Sequence, residues 1–185
     1  MAGLMVVVFG LMGTGKTTLA RALGEKLGWP VVHSDPVRKG LAGLEPTIPV
    51  LEEFGQGIYS ETFSRKTYAE MLRQARRHLD KAPGVILDGS YKRAAERERV
   101  RQAAREWGAE ALFIYCECPK EIVRERLIRR RATASISNGR LELLEFQKED
   151  FDPLTQDDQP RLTVDTGREI EAILANIQQF IEKHQ

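Results

Sequence analysis

Five short apolar runs, spaced by longer stretches of helical periodicity, organise this chain. Leu4–Phe9, Pro30–His33, Gly84–Leu87, Ala111–Cys116 and Arg161–Val164 read as strands. Unbroken blocks such as Val85-Ile86-Leu87 and Ala111-Leu112-Phe113-Ile114 fit strands covered on both faces. Their alternation with helices predicts an α/β three-layer sandwich around a parallel sheet. The first helix reads as Thr17–Leu27. Asp35-Pro36 reads as an N-cap followed by proline at the first helical position of the next. Phe63, Thr67, Met71, Ala75 and Leu79 give the helix from about Glu61 to Lys81 an inward stripe, and Ala82-Pro83-Gly84 stops it. Pro119 opens Lys120–Arg131. Thr166-Gly167-Arg168-Glu169 has the capping-box pattern for a last helix, Glu169–Glu182, whose apolar face is Ile170, Ile173, Leu174, Ile177 and Ile181. Gly43–Ser60 and Thr133–Arg140 lack periodicity, as lids and substrate-binding segments often do.

A length of 185 residues suits a single domain, 1–185, with a small lid at about 126–148 and a substrate-binding segment at about 35–81. The formal net charge of +1 supplies no global basic field, so no nucleic-acid partner is expected. Cys116 and Cys118 sit on one face of a strand, a poor disulfide geometry, and two ligands do not make a zinc site. Reduced thiols place the chain in the cytoplasm. The first apolar run is short, has no basic residue before it and ends in glycines, so it reads as a buried strand and not a leader. No run approaches a membrane span. A monomer and a homodimer are both compatible with the sequence. His33 and His78 are isolated and receive no role. Trp29 and Trp107 read as core, and Lys92 and Arg93 as a solvated helix start.

The chemistry concentrates where the first strand meets the first helix. Gly10-Leu11-Met12-Gly13-Thr14-Gly15-Lys16-Thr17 fills every fixed position of G-x-x-x-x-G-K-[ST]. Glycines let backbone amides curl around a phosphate, and the helix N-terminus adds partial positive charge. Gly10, Gly13, Thr14, Gly15, Lys16, Thr17 and Thr18 are therefore candidates for holding ATP. Lys16 reaches the β and γ phosphates, and the Thr17 hydroxyl faces Mg²⁺. Asp88, closing the run Val85-Ile86-Leu87, is the second candidate metal residue. Gly89 follows it where mechanical ATPases commonly carry a water-activating Glu, which lowers that class. Asp35 is a candidate to accept or align a substrate hydroxyl, with capping as its structural alternative. Arg38, one turn on, is a weaker substrate candidate. Arg126 and Arg130, four apart on one helical face, are candidates to clamp the transferring phosphoryl group, and Arg140 is a weaker one. Asp165 and Thr166, with Gly167, close the last strand and border the adenine ring in this reading.

On Gly10–Thr17, Ser34-Asp35-x-x-Arg38-Lys39, Val85–Gly89, Arg126-Leu127-x-x-Arg130 and Asp165-Thr166, the chain resembles small P-loop kinases of the adenylate-kinase-like group. It looks like the branch of gluconate kinases, chloramphenicol phosphotransferase-like enzymes and zeta-toxin-like proteins. Within that branch it is similar to the ATP-binding kinase domain often fused to aminoglycoside phosphotransferases. The resemblance implies strand order 2-3-1-4-5, ATP and Mg²⁺ at Lys16 and Thr17, Asp35 in the substrate position, and Arg126 and Arg130 as lid arginines. It implies transfer of the γ-phosphate to a hydroxyl of a small molecule. Arg131-Ala132-Thr133 stands where gluconate kinases carry Gly-His-Phe, which sets gluconate itself apart. The alternatives are an ATP-binding switch module without transfer and a nucleic-acid end kinase. No Asn-Lys-x-Asp guanine-reading motif is present.

Overall fold

A computed structural model describes residues 3–45, 56–131 and 145–184, with the backbone alone at 130 and 131. The five expected strands are β1 (Gly3–Phe9), β2 (Val31–His33), β3 (Gly84–Gly89), β4 (Ala109–Glu117) and β5 (Arg161–Asp165). They pair in parallel in the order β2-β3-β1-β4-β5, as the resemblance implies. Helices α1 (Lys16–Leu27), α2 (Ser34–Leu41), α3 (Glu61–Leu79), α4 (Ala94–Trp107), α5 (Lys120–Arg131), α6 (145–149) and α7 (Ile170–Glu182) flank the sheet.

The central strand explains the layering. From Leu4 to Phe9, β1 is buried on both faces. Leu4, Val6 and Val8 pack with Leu19 and Leu23 of α1 and Ile177 and Ile181 of α7. Met5, Val7 and Phe9 pack with Met71 and Ala75 of α3 and Val100 and Ala104 of α4. The period of two along the strand therefore feeds two separate cores. Trp29 completes the first core, as expected, its ring lying where any Cβ at Gly84 would stand 2.4 Å away.

Two helix starts differ from the sequence reading. The N-cap of α2 is His33, with no side-chain cap bond, so Asp35 lies inside the first turn and does not cap. Its carboxylate pairs instead with Lys39 one turn on, at 2.9 Å. The last helix begins at Ile170, its N-cap Glu169 makes no side-chain cap bond, and Thr166 is committed elsewhere. In α3 the stripe holds through Thr67, Met71 and Ala75, with Tyr68 buried beside it, and Ser60 caps the helix by accepting from the Phe63 amide.

Candidate active site

The C-terminal ends of the parallel strands lie along one edge, where an open α/β sheet binds ligands. After β1 the chain makes the glycine loop. Gly13 and Gly15 have φ of +75° and +81°, which a residue with Cβ rarely adopts. Space adds to this at Gly13, where a Cβ would lie 2.8 Å from Val123 Cγ1, while at Gly15 the nearest atom is an Arg126 guanidinium nitrogen at 2.9 Å, so there the positive φ is the constraint. Gly15 is the N-cap of α1, so Lys16, Thr17 and Thr18 form that helix's first turn. Thr14 is buried and donates its hydroxyl proton to the Leu11 carbonyl at 2.8 Å. Lys16 Nζ folds over the loop and donates to the same carbonyl at 3.1 Å.

β3 delivers Asp88 beside this turn. The Thr17 hydroxyl donates to Asp88 Oδ2 at 2.8 Å, and His33 Nδ1 lies 2.8 Å from the same oxygen. Asp88 is only 3% exposed, yet Oδ1 is buried with no partner among the described residues. A buried carboxylate oxygen left in this state is costly. A cation bound at Thr17 and Asp88 would remove that cost. Among the described residues no cluster of three or more His, Cys, Asp or Glu side chains forms a closed metal cage. A threonine hydroxyl with one carboxylate is the sparse donor set that suits Mg²⁺, which keeps most of its water and takes phosphate oxygens. Sequence reasoning gave His33 no role. The missing signal was register, since parallel pairing of β2 and β3 sets His33 directly against Asp88.

On the other side of the glycine loop, Arg126 of α5 is bound to protein groups. Its guanidinium donates to the Thr166 carbonyl at 2.7 Å, to Thr166 Oγ1 at 3.2 Å and to Cys118 Sγ at 3.4 Å. Thr166 is itself buried and donates to the Thr14 carbonyl. This chain of contacts locks the end of β5 to the glycine loop and accounts for Thr166 without a capping role. Asp165 Oδ1 accepts from the Gly167 amide at 2.9 Å. Exposed Thr18 borders a cleft with Gly15, Arg126, Arg129, Thr166 and Arg168. Arg130 belongs to α5, its side chain outside the described residues, and Arg140 with the rest of 132–144, within the expected lid, lies outside them altogether. Residues 46–55 of the substrate segment are outside them too. Cys116 is buried, which pushes its thiol up to about 12, and both cysteines are free.

A second set of groups gathers beyond β3. Arg38 is 7% exposed and turned into the protein, donating to the Ile58 carbonyl and to Ser64 Oγ, with its guanidinium over the Tyr59 ring. Lys92 and Arg93 are not a solvated helix start. Both bind Asp150, and Arg93 also donates to Asp152 Oδ1 at 3.1 Å. These pairs tie the stretch after α6 to the loop after β3. Tyr68, Ser90, Lys92, Arg93, Glu96 and Asp150 line one cavity there. Burial pushes the Glu96 carboxyl from 4.5 up to about 7, against the pull of Arg99, Arg38 and Arg65 and with the push of Glu61. Tyr68 and Tyr91 lie close to it, both raised by burial.

The Glu96 shift has a thermodynamic consequence. Between pH 4.5 and 7 the unfolded chain has released this proton and the folded chain holds it. Stability is therefore expected to fall as pH rises through that window and to level off above it, by at most about 3 kcal/mol. Melting temperatures at pH 5 and pH 7.5 check this: wild type should lose more than Glu96→Gln across the interval.

Among the described residues no helix is long and apolar enough to cross a membrane. A protein of Mycobacterium tuberculosis is 30% identical over 138 residues, which is 72% of this chain and 28% of that protein. Shikimate kinase of Bradyrhizobium diazoefficiens is 30% identical over 128 residues, 69% of this chain and 54% of that enzyme. The chain thus spans about a quarter and about half of these relatives' lengths. Shikimate kinase from Acinetobacter baumannii, solved in complex with shikimate, superposes with a TM-score of 0.66 at 23% identity, over 100% of this chain and 95% of that one. A family model described as an AAA domain matches residues 5–154. The chain belongs to this AAA-domain family, and its fold is that of the small P-loop kinases of the adenylate-kinase-like group.

Proposed function

We propose that this protein is an ATP-dependent phosphotransferase that moves the γ-phosphate of ATP to a hydroxyl of a small molecule. The observation that carries the reading is the Thr17–Asp88 pair set against the glycine loop, with Asp88 Oδ1 buried and unpartnered among the described residues. The shikimate kinases among the relatives and structural neighbours support it, since transfer to a hydroxyl is the chemistry their names carry.

The residues divide the work. Amides of Gly13 to Thr18 cradle the phosphates, and the Lys16 ammonium follows the β and γ phosphates. Thr17 and Asp88 hold Mg²⁺, with His33 orienting Asp88. When bound, the ion neutralises phosphate charge. Arg126 stands beside Gly15, where a small rotation directs its guanidinium to a phosphoryl oxygen. Arg130, on the same helical face, is assigned the second position of that clamp. Asp165 and Thr166 border the nucleotide base through the turn after β5. Asp35, freed from capping, aligns the acceptor hydroxyl and takes its proton as the acceptor oxygen bonds to the γ phosphorus and the bond to the β–γ bridging oxygen breaks. The segment about 126–148 is assigned the lid and 35–81 the acceptor side.

The test is a coupled assay of ADP release with purified protein, Mg-ATP and a panel of hydroxylated small molecules. Acceptor-stimulated release is the expected result; nucleotide binding with no stimulation by any acceptor overturns the proposal. Asp35→Asn should then lower kcat by about 10²–10⁴ while the Kd for Mg-ADP moves less than about threefold. Asp35 is half exposed but its partner Lys39 is buried, so a thermal melt of Asp35→Asn beside the kinetics separates lost turnover from lost stability.

A further inference from the structure

The cavity beyond β3 has a volume of about 140 Å³ and begins two residues after Asp88, at Ser90. Its wall contains a group that the protein itself leaves unsatisfied. Glu96, in the first turn of α4, is 4% exposed, and its Oε2 has no hydrogen-bond partner among the described residues. The cation paired with the other oxygen, on Arg99, stands 3.8 Å from Oε1. A polar atom buried in this state costs the free protein a desolvation penalty that a bound ligand can relieve.

The remaining wall decides what that ligand is. It carries the hydroxyls of Ser64, Ser90 and Tyr68, the last two hydrogen-bonded to each other at 2.9 Å, and a second carboxylate, Glu61, beside the Asp150 pairs. The cations around it are engaged. Arg38 is bound to the Ile58 carbonyl and Ser64, and Lys92 and Arg93 are bound to Asp150. An acceptor bearing a carboxylate would meet Glu96 and Glu61 and find Lys92 and Arg93 already paired with Asp150, and Arg38 turned to the Ile58 carbonyl and Ser64. A hydroxyl-rich, uncharged acceptor finds a carboxyl to receive its protons and hydroxyls to exchange bonds with.

Resting on the phosphotransfer reading, we propose that Glu96 is a specificity-determining residue, and that the acceptor is an uncharged polyol, a sugar or sugar alcohol, one hydroxyl of which bonds Glu96 Oε2. A second hydroxyl of the same molecule is the one phosphorylated, and Glu96 takes no part in that step.

The experiment measures ADP release with neutral monosaccharides and alditols, with the matching aldonates, with shikimate and with amino sugars, for wild type and Glu96→Gln. Neutral polyols are expected to stimulate wild type and the carboxylates to leave it at background. Loss of one hydrogen bond should raise the acceptor KM of Glu96→Gln about threefold to tenfold. The kcat should change less than about threefold, and Mg-ADP affinity by calorimetry should match wild type. A merely structural role would not split KM from kcat in this way. Should Glu96→Gln fail to fold by near-ultraviolet circular dichroism, Ser90→Ala, which removes a hydroxyl from the same wall, is expected to raise the same KM severalfold. Turnover of a carboxylate or an amino sugar in preference to neutral polyols overturns the proposal and leaves phosphotransfer standing, as does an unchanged KM in the variant that folds. No release with any acceptor overturns both.

Discussion

Lys16→Ala is expected to lower kcat/KM for phosphoryl transfer on the order of 10³, with the melting temperature within about 2 °C of wild type. The size follows from where the ammonium sits. Lys16 is the first residue of α1, directly after the left-handed Gly15, and its Nζ hangs over the loop 3.1 Å from the Leu11 carbonyl. In the proposed reaction it supplies positive charge beside the loop amides as charge develops on the transferring phosphoryl group. The amides remain in the variant, so Mg-ADP binding should weaken but persist, and the deficit should fall mainly on kcat. Gly13, Gly15 and the Thr14–Leu11 bond remain in the variant, so losing the Lys16–Leu11 contact should disturb the loop little. Steady-state kinetics with the preferred acceptor, beside a thermal melt, check both halves. Activity within tenfold of wild type would remove Lys16 from the transfer step.

The glycine loop was legible because its chemistry is local: fixed residues at fixed spacing between a strand and a helix. The strands were legible because a chain buried on both faces leaves unbroken apolar runs, as at Met5–Phe9 and Val85–Leu87. The errors share a cause, which is side chains claimed by distant partners. Thr166 has the right neighbours for a capping box, but the Thr14 carbonyl and Arg126 claim its hydroxyl across the glycine loop. Lys92 and Arg93 look like solvated charges until α6 brings Asp150 to them. His33 looked isolated because Asp88 is remote in sequence and adjacent only once β2 pairs with β3. Glu96 carried no signal at all: in Ala94-Ala95-Glu96-Arg97-Glu98-Arg99 it has the same look as Glu98, which is half exposed. Nor did that polar stretch hint that one of its arginines is a core residue.

Arg97→Ala is expected to destabilise the fold by about 3–5 kcal/mol, lowering the melting temperature by roughly 6–20 °C. The Arg97 side chain is fully buried, and its partner Asp158 is 2% exposed, with 2.7 Å between Nε and Oδ1. The guanidinium also donates to the carbonyls of Tyr91 at 3.0 Å and Pro153 at 3.2 Å, so it clasps the loop after β3 to the stretch before β5. Phe9 and Phe151 lie over its planar face, with ring centroids 5.9 and 5.6 Å from Cζ. Truncation leaves a buried carboxylate short of its main cation and several carbonyls without donors, which is why the cost exceeds that of a surface pair. Lysine is no substitute, since one ammonium cannot span both loops. The pH dependence has its own sign. Burial alone would raise the Asp158 carboxyl, but Arg97, the Thr155 amide and Arg101 together hold it below the ordinary aspartate value. A depressed folded value means the contribution is present above the unfolded value of about 3.9 and is lost as pH falls through the folded one. Arg97→Ala should therefore differ most from wild type at neutral pH and converge toward it in acid. Because the same guanidinium holds Tyr91 beside Ser90, residual folded Arg97→Ala should also show a raised acceptor KM with Mg-ADP affinity retained. Thermal melts at several pH values, with calorimetry on the folded fraction, read both effects. A variant as stable as wild type at pH 7 would mean that the clasp contributes nothing to the fold.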